Sequence, residues 1–226
     1  MTSDSSRQPN PREADEGLWS EISSRDFARH PALFLDRDGV LVEDSHYLGR
    51  AEDMRMLEGA SAAVARCNRL GIPVVLVTNQ SGIARGLYDW RDFHAVQAAL
   101  SSALANAGAH LDATFACAHH ADGGAPFNIA DHRWRKPSPG MILAAGSRMK
   151  LDLAHSWIVG DHASDIATGR AAHLAGGILI SPQQDDPERQ VVAALKAPGF
   201  IVELSASLGA AVSRLLAERR LNAAEP

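Results

Sequence analysis

The feature that most constrains the fold of this chain is a short apolar run that ends abruptly on two aspartates. Residues 31–35 (PALFL) are followed directly by Asp36, Arg37, Asp38 and Gly39. The run predicts a buried strand, and carboxylates at the end of such a strand are costly unless they hold a cation or do chemistry. Gly39 allows a sharp turn and a close approach to a ligand. Aspartate and glycine are also ordinary turn residues, so a simple turn stays open here.

Strands and helices alternate along the chain, which predicts an α/β domain with a mainly parallel sheet. Residues 72–77 (IPVVLV) are continuously apolar, as expected of a strand buried on both faces. The other predicted strands are residues 31–35, 114–118, 157–159 and 177–180. The predicted helices are residues 58–70, 89–107, about 140–149 and 164–174, and a last helix-strand-helix unit spans about 188–219.

The N-terminal region has a different composition from the rest of the chain. Residues 1–17 are rich in Ser, Pro, Asp, Glu and Arg and contain no apolar block, which predicts a disordered extension rather than a signal or transit peptide. Residues 18–30 fit either a short helix or an extended arm. We therefore expect a largely disordered extension or arm over residues 1–30 and one domain over residues 31–226.

Charge and composition exclude several classes of function. The net charge of -5 argues against a nucleic-acid-binding protein. The longest apolar runs are far shorter than the roughly 20 residues that cross a membrane. The two cysteines are too few for a disulfide framework. We expect a monomeric cytoplasmic protein without a nucleic-acid or membrane partner.

Polar residues follow three of the predicted strands at the point where each strand ends. Asp36, Thr78 and Asp161 occupy these positions, and ligands of parallel α/β sheets bind at the carboxyl ends of the strands. Asp36 and Asp161 are hard oxygen ligands, and the backbone carbonyl of Asp38 can add a third. Proteins hold Mg²⁺ that also touches a phosphate with a few carboxylates plus water. This edge of the sheet is therefore a predicted magnesium site.

The same edge carries groups that suit a phosphate. Thr78 offers a hydroxyl and Asn79 a backbone N–H, and both can donate to a phosphate oxygen. Lys136 adds a mobile positive charge. A carboxylate nucleophile, a divalent cation and a lysine together describe phosphoryl transfer through an aspartyl-phosphate.

The order of these residues resembles that of the haloacid dehalogenase (HAD) superfamily of phosphatases. The matching positions are Asp36-x-Asp38-Gly39, Thr78, Lys136 before Pro137, and Asp161-x-x-x-Asp165. Each motif alone is weak, but all four occur in the expected order at the expected element ends. The resemblance implies a HAD-like Rossmannoid three-layer sandwich with a mainly parallel sheet.

The resemblance also implies a role for each residue. Asp36 is expected to be the nucleophile, and Asp38 is expected to protonate the leaving oxygen and then activate water. Asp36, Asp161 and the Asp38 carbonyl are expected to bind Mg²⁺. Asp165 is either a partner of these ligands or an ordinary carboxylate on a helix face. The expected phosphate-binding residues are Thr78, Asn79 and Lys136.

Within the superfamily, the chain most resembles the D-glycero-D-manno-heptose 1,7-bisphosphate phosphatases. Three segments carry this likeness: residues 34–39 (FLDRDG), 77–86 (VTNQSGIARG) and 135–137 (RKP). It implies removal of the C7 phosphate of a small phosphorylated sugar. Histidinol phosphate or another small monoester is the alternative substrate, and a non-catalytic scaffold protein is a third possibility. The residues that these segments add to the expected substrate site are Arg37, Gly39, Gln80, Arg85 and Arg135.

Two arginines near the predicted edge suit a second phosphate. Arg85 and Arg135 are extra cations, and a guanidinium binds phosphate as a two-pronged donor. Ordinary solvated arginines are the alternative interpretation. We expect them to hold the C1 phosphate, which stays intact.

Two further expectations concern the long connections. The intervals from Asp38 to Thr78 and from Ala118 to Lys136 are too short for a cap domain, so loops must recognise the substrate. Members of the family usually carry Cys-x-His and then Cys-x-Cys, which is zinc-ligand spacing. Here the corresponding segments supply Cys117, His119 and His132, with a tryptophan in the last position. We therefore expect a loop without zinc, and a rebuilt zinc site is the alternative.

Overall fold

A seven-stranded sheet forms the centre of the molecule. The computed structural model describes residues 16–221, so the expectation of disorder over residues 1–15 lies outside the described residues. The strands are β1 (Leu18–Ile22), β2 (Leu33–Leu35), β3 (Val74–Asn79), β4 (Ala113–Cys117), β5 (Trp157–Gly160), β6 (Gly176–Ile180) and β7 (Ile201–Ser205). Their order is β1-β4-β3-β2-β5-β6-β7. Only β1 runs antiparallel to its neighbour, so the prediction of a mainly parallel sheet is confirmed.

Strand β1 comes from the segment for which the sequence left a helix and an extended arm open. It pairs with β4 over its whole length, from Leu18 opposite Cys117 to Ile22 opposite Ala113. This pairing satisfies the backbone groups of β4 that would otherwise form an open sheet edge. The folded domain therefore includes residues before position 31.

Helices cover both faces of the sheet and complete three layers. The helices are α1 (Ala60–Arg69), α2 (Ser81–Ala84), α3 (Trp90–Asn106), α4 (Gly140–Met149), α5 (Ala163–Ala171), α6 (Glu188–Ala193) and α7 (Leu208–Ala217). Apolar residues of α1, α3 and α7 pack into one core, and those of α4, α5 and α6 pack into the core on the opposite face. No helix in the described part of the chain has the length and apolar character needed to cross a membrane.

Short connections leave the carboxyl edge of the sheet uncovered by a further domain. Between β2 and α1 the chain forms a loop with one 3₁₀ turn at Ala51–Asp53, closed at its base by a backbone hydrogen bond from Leu57 N to Leu41 O. Between β4 and α4, residues 118–139 form turns and bends. The prediction of a domain without a separate cap is confirmed for the described chain.

The strand register brings the predicted site together. Leu35 at the end of β2 pairs with Leu76 of β3 and with Val159 of β5. The chain leaves β2 for one half of the sheet and returns through β5 for the other half, so the switch point of the topology lies beside β2. Ligands of open α/β sheets bind at this point.

Candidate active site

Asp36 and Asp161 face each other at the carboxyl ends of β2 and β5. The backbone N–H of Asp36 donates to Val159 O (3.0 Å), which continues the ladder between the strands. Gly39 has a φ of 70°, and a Cβ atom there would lie 2.0 Å from Asp161 Oδ2. A side chain at position 39 would therefore displace Asp161, which explains the need for glycine after the second aspartate.

Lys136 is buried at the centre of the carboxylate cluster. Its Nζ lies 2.8 Å from Asp36 Oδ1 and 2.7 Å from Asp165 Oδ1. Burial would lower the pKa of Lys136, but the charges of Asp165 and Asp36 outweigh it and raise the pKa. The backbone of Lys136 is held by Asn79, whose Oδ1 accepts from Lys136 N (3.0 Å) and whose Nδ2 donates to Lys136 O (3.1 Å). The lysine is therefore a fixed cation in this site.

Three carboxylates of this site offer oxygens to a cation. Asp36, Asp161 and Asp165 each contribute one oxygen, and these oxygens lie within 4.8 Å of one another. The Oδ1 atom of Asp161 is buried and has no hydrogen-bond partner among the described residues. Burial and the neighbouring Asp36 raise the pKa of Asp161 to about 7. This donor set fits Mg²⁺, which prefers carboxylate oxygens and water.

Asp165 contacts Lys136 directly and also binds the start of α5. Besides its contact with Lys136, its Oδ2 accepts from His162 N (3.1 Å) at the start of α5. Asp165 is 1% exposed, so the alternative of a solvated helix-face carboxylate does not describe it. It holds Lys136 and the first turn of α5 in one arrangement.

The carboxylate of Asp38 is bound by Arg37. The Nε atom of Arg37 lies 3.3 and 3.2 Å from the two carboxylate oxygens of Asp38, and its Nη2 atom lies 3.1 Å from Oδ2. Burial raises the pKa of Asp38, and the guanidinium of Arg37 opposes this shift. A carboxyl group with a raised pKa is suited to donate a proton in one step and accept one in the next.

Thr78 is buried at the end of β3, and the side chain of Gln80 reaches back to it. Gln80 Nε2 donates to Thr78 Oγ1 (2.8 Å), and Gln80 Oε1 accepts from Arg37 Nη2 (3.1 Å). Gln80 N donates to Cys117 O on β4. Because successive amides of a strand face opposite neighbours, the N–H of Asn79 faces the Asp36 side. That orientation suits the phosphate contact expected of Asn79.

The side chains of Arg37 and Gln80 have contacts that the sequence did not indicate. Both were expected to bind substrate or phosphate, and both are 1% exposed and directed at Asp38 and Thr78. A phosphate contact of these two residues stays a prediction. Tyr88 joins the same group through a hydrogen bond to Gln80 (2.8 Å). An isolated tyrosine after a loop gives no sequence signal for such a position.

Arg85 and Arg135 lie on the loops that follow β3 and β4. Arg85 Nη2 is 3.1 Å from Asp122 Oδ2. Arg85 and Asp122 both line an open cavity of about 680 Å³. Arg135 Nη1 donates to His119 O (3.0 Å). Burial lowers the pKa of Arg135, and the charge of Arg85 lowers it further. His120 lies within 3.3 Å of Arg85, and burial, together with Arg135 and Arg85, lowers its pKa. The positive charge that a second anion requires therefore comes from the two guanidinium groups.

The loop with potential zinc ligands is packed around an aromatic residue. Cys117 Sγ lies 3.8 Å from His132 Nδ1, and the rings of His119 and His132 stack with centroids 4.2 Å apart. His132 Nδ1 accepts from Trp134 N (3.2 Å). Trp134 is 3% exposed and packs against Phe115. An apolar side chain therefore occupies the sequence position where the usual set has a fourth ligand, and a loop without zinc stays a prediction.

Comparisons with known proteins agree with this geometry. A family model described as HAD-hydrolase-like matches residues 133–202. A curated protein of Mesorhizobium japonicum, named D-glycero-beta-D-manno-heptose-1,7-bisphosphate 7-phosphatase, is 45% identical over 179 residues, which cover 78% of this chain and 82% of the relative.

Two solved structures have the same fold as this chain. A HAD-like protein of Mesorhizobium loti superposes with a TM-score of 0.81 at 39% identity and covers 94% of this chain and 97% of its own. A D,D-heptose 1,7-bisphosphate phosphatase of B. bronchiseptica, complexed with magnesium and phosphate, has a TM-score of 0.68 at 33% identity and covers 83% and 99%.

Proposed function

Because the chain belongs to the HAD-like hydrolase family and to its heptose-bisphosphate phosphatase branch, we propose that it removes the 7-phosphate of D-glycero-D-manno-heptose 1,7-bisphosphate. The observation that carries this proposal is the buried contact of Asp36 and Asp165 with the ammonium group of Lys136, with an oxygen of Asp161 within 4.8 Å of the other two carboxylates. Such an arrangement stabilises the charge of a transferring phosphoryl group. The magnesium of the B. bronchiseptica relative supports Mg²⁺ as the cofactor here.

Each side chain of the site has a separate role in the proposed reaction. A carboxylate oxygen of Asp36 attacks phosphorus and forms an aspartyl-phosphate, while Asp38 gives its proton to the departing sugar oxygen. Asp38 then takes a proton from the water that hydrolyses the phosphoenzyme. Lys136, Thr78 and the backbone N–H of Asn79 hold the phosphoryl oxygens. When bound by Asp36, Asp161 and the Asp38 carbonyl, Mg²⁺ supplies positive charge to the same oxygens.

The loops offer contacts to a second phosphate group, which a small monoester lacks. Arg85 and Arg135 lie on neighbouring loops, and burial together with both guanidinium groups lowers the pKa of His120 between them. We propose that they hold the C1 phosphate of the substrate. Histidinol phosphate carries a cationic amine instead, which these arginines would repel. The cytoplasmic location and the monomeric state expected from the sequence stay predictions.

A substrate panel with Mg²⁺ tests the function directly. It contains both anomers of heptose 1,7-bisphosphate, histidinol phosphate, hexose monophosphates and p-nitrophenyl phosphate. We expect the highest kcat/KM with a heptose bisphosphate and release of one phosphate, at C7. A similar kcat/KM for histidinol phosphate would favour the alternative substrate. The absence of Mg²⁺-dependent turnover of every substrate would refute the phosphatase.

A pair of arginine variants tests the second phosphate site. Arg135→Ala should raise KM for the bisphosphate by about 10- to 100-fold, the range of one charge-assisted hydrogen bond, and should leave p-nitrophenyl phosphate turnover little changed. Arg133→Ala is the matched control, because Arg133 is exposed on the same loop. Equal effects of Arg135→Ala on both substrates would show that Arg135 does not read the second phosphate.

A further inference from the structure

A chain of three hydrogen-bonded side chains lies behind the reacting groups. We propose that Arg37, Gln80 and Tyr88 form a positioning network that orients Asp38 and directs the hydroxyl proton of Thr78 toward the phosphoryl group. The network is defined by these three residues. It rests on the proposed phosphatase function, since Asp38 and Thr78 are the groups through which it acts.

The orientation of Gln80 is determined by two donors. Its Oε1 accepts from Arg37 Nη2 (3.1 Å) and from the hydroxyl of Tyr88 (2.8 Å). An amide that receives two donors at its oxygen must turn its NH₂ group the other way. That group donates to Thr78 Oγ1 (2.8 Å).

This arrangement determines what the Thr78 hydroxyl can do. A hydroxyl carries one proton and two lone pairs. Gln80 donates to one lone pair, so the proton of Thr78 remains to be given to another acceptor. A phosphoryl oxygen above the Asp36 carboxylate is such an acceptor. Gln80 therefore makes Thr78 a donor before the substrate arrives, and this is electrostatic preorganisation in its simplest form.

Arg37 connects the same amide to the acid-base residue. Its guanidinium is 1% exposed, carries a permanent charge and contacts Asp38 through Nε and Nη2. Its Cζ lies 5.7 Å from the centre of the Phe93 ring. A buried cation must keep its anionic partner, because removal of the partner leaves an uncompensated charge. Arg37 thus holds Asp38 in one place and aligns it with Gln80.

Tyr88 ties the network to the loops around the site. A Cβ atom at Gly49 would lie 2.8 Å from the Tyr88 side chain, and one at Gly82 would lie 2.1 Å from it. The ring is therefore packed between the loop after β2 and the start of α2. Burial raises the pKa of Tyr88 to about 12, so its hydroxyl keeps the proton that it donates to Gln80.

The decisive variant is Gln80→Glu, which changes donor to acceptor with little change in shape. Beside Arg37 the new carboxylate stays ionised, and its oxygen next to Thr78 accepts the hydroxyl proton. Thr78 then has no proton for the phosphoryl group. We expect kcat/KM to fall by about 100-fold or more, the effect of losing one transition-state donor, for p-nitrophenyl phosphate and for an alkyl phosphate alike. Inhibition by inorganic phosphate should weaken as well.

The chain offers a matched control for this change. Gln97 is also buried, and its Nε2 donates to Thr114 Oγ1 (3.2 Å) near the start of β4, at the opposite end of the strand from the site. Gln97→Glu makes the same chemical change in a second buried Gln–Thr pair. It should lower the thermal midpoint and leave kcat/KM of the folded enzyme within about threefold, below the effect of one hydrogen bond.

Arg37→Lys separates a positioning role from a structural one. Lysine keeps the charge but loses the planar contact with Asp38. An alkyl leaving group needs the proton of Asp38, whereas p-nitrophenolate leaves without it. Hydrolysis of the phosphoenzyme also uses Asp38 and is common to both substrates, whereas kcat/KM reports only the steps up to departure of the leaving group. We therefore expect the loss in kcat/KM to be at least about tenfold greater for the alkyl phosphate than for p-nitrophenyl phosphate. A variant that merely folds less well would lose both activities equally.

The outcomes distinguish the network from the function on which it rests. Equal losses of kcat/KM for both substrates in Arg37→Lys, or a Gln80→Glu effect no larger than that of Gln97→Glu, would overturn the network. If either variant fails to fold, Tyr88→Phe decides: it removes one oxygen, and a loss of about 3- to 10-fold in kcat/KM, the effect of one neutral hydrogen bond, is expected. No loss would overturn the proposal. Wild-type protein without Mg²⁺-dependent turnover of any substrate in the panel would instead refute the phosphatase.

Discussion

The carboxyl ends of β2 and β5 and the loop over residues 117–136 each gather polar side chains, but by different means. At the strand ends, Asp36 and Lys136 are buried and form an ion pair, and an oxygen of the partly buried Asp161 lies within 4.8 Å of an Asp36 oxygen. In the loop, His119 and His132 stack beside a cysteine, around a tryptophan that fills an apolar space. We call these two regions the strand-end cluster and the histidine loop.

The two regions differ in what determines the positions of their side chains. Backbone hydrogen bonds between β2 and β5 determine where the two strands end relative to each other. The residues that follow these strands therefore lie close together, and their position depends little on the loops between the strands. The position of a loop residue depends on which side chain packs beneath it. At Lys136 the two regions meet, and Asn79 holds this residue from the β3 side by two hydrogen bonds. We therefore expect the strand-end cluster to keep its chemistry when the histidine loop is altered.

The largest expected effect is that of removing the nucleophile from the strand-end cluster. Asp36→Asn keeps the size of the side chain but loses its nucleophilic charge. We expect kcat to fall by at least about 10⁴-fold, the scale seen when a nucleophile is deleted. The thermal midpoint should stay within a few degrees or rise, because a crowded group of carboxylates loses one like charge and Lys136 keeps Asp165.

Steady-state kinetics with Mg²⁺ and differential scanning fluorimetry check both parts of this prediction. Asp185→Asn is the control, since Asp185 is an exposed aspartate and its substitution should change neither quantity. Substantial turnover by Asp36→Asn would exclude the aspartyl-phosphate. A large drop in the thermal midpoint would show that Asp36 also has a structural role.

The strand-end cluster could be predicted from sequence because a short local pattern marks each of its positions and occurs more than once. An apolar run that ends on a polar residue occurs three times, before Asp36, Thr78 and Asp161, and the parallel sheet brings these ends together. The alternation of elements gave the fold class for the same reason. Element boundaries differed by a few residues, as at β3, which continues through Thr78 and Asn79.

The remaining features depend on contacts that no local pattern encodes. The pairing of β1 with β4 joins segments far apart in the chain, and residues 18–30 lack a clear period. The inward direction of Arg37 and Gln80 arises because Tyr88 and Asp38 bind them, whereas a polar residue beside a motif looks like a substrate contact. Sequence can therefore name the reacting groups more readily than the residues that orient them.

A smaller effect is expected from opening the histidine loop. Trp134→Ala removes a buried aromatic side chain and should cost about 3–5 kcal/mol of stability, which lowers the thermal midpoint by roughly 6–20 °C. Below that midpoint, kcat should change by less than about tenfold, because Asn79 still holds the backbone of Lys136. Thermal unfolding and kinetics at 20 °C measure the two quantities.

Trp90→Ala is the control for Trp134→Ala. Trp90 is only partly buried and packs against Phe93 of α3, so its loss should lower the thermal midpoint less. A loss of kcat in Trp134→Ala close to that of Asp36→Asn would break the distinction between the two regions, since it would make the loop part of the catalytic geometry.

The smallest expected effect concerns zinc in the histidine loop. Cys117, His119 and His132 provide three of the four ligands that a structural zinc site requires, and Trp134 occupies the place of the fourth with an apolar ring. His119 Nδ1 already contacts Phe127 O (3.3 Å), and His132 Nδ1 accepts from Trp134 N. We therefore expect elemental analysis of chelator-washed protein to find well below one zinc per chain.

A thiol at position 134 should increase the affinity of the loop for zinc, so a variant with this change serves as the comparison for wild type. Trp134→Cys supplies a fourth ligand type at the position that the usual set requires, so it should retain more zinc than wild type under the same washing. Because the strand-end cluster binds through carboxylates, the Mg²⁺ dependence of turnover should be the same in both proteins. One tightly held zinc per wild-type chain would contradict the prediction and show that the loop completes its ligand set with another residue.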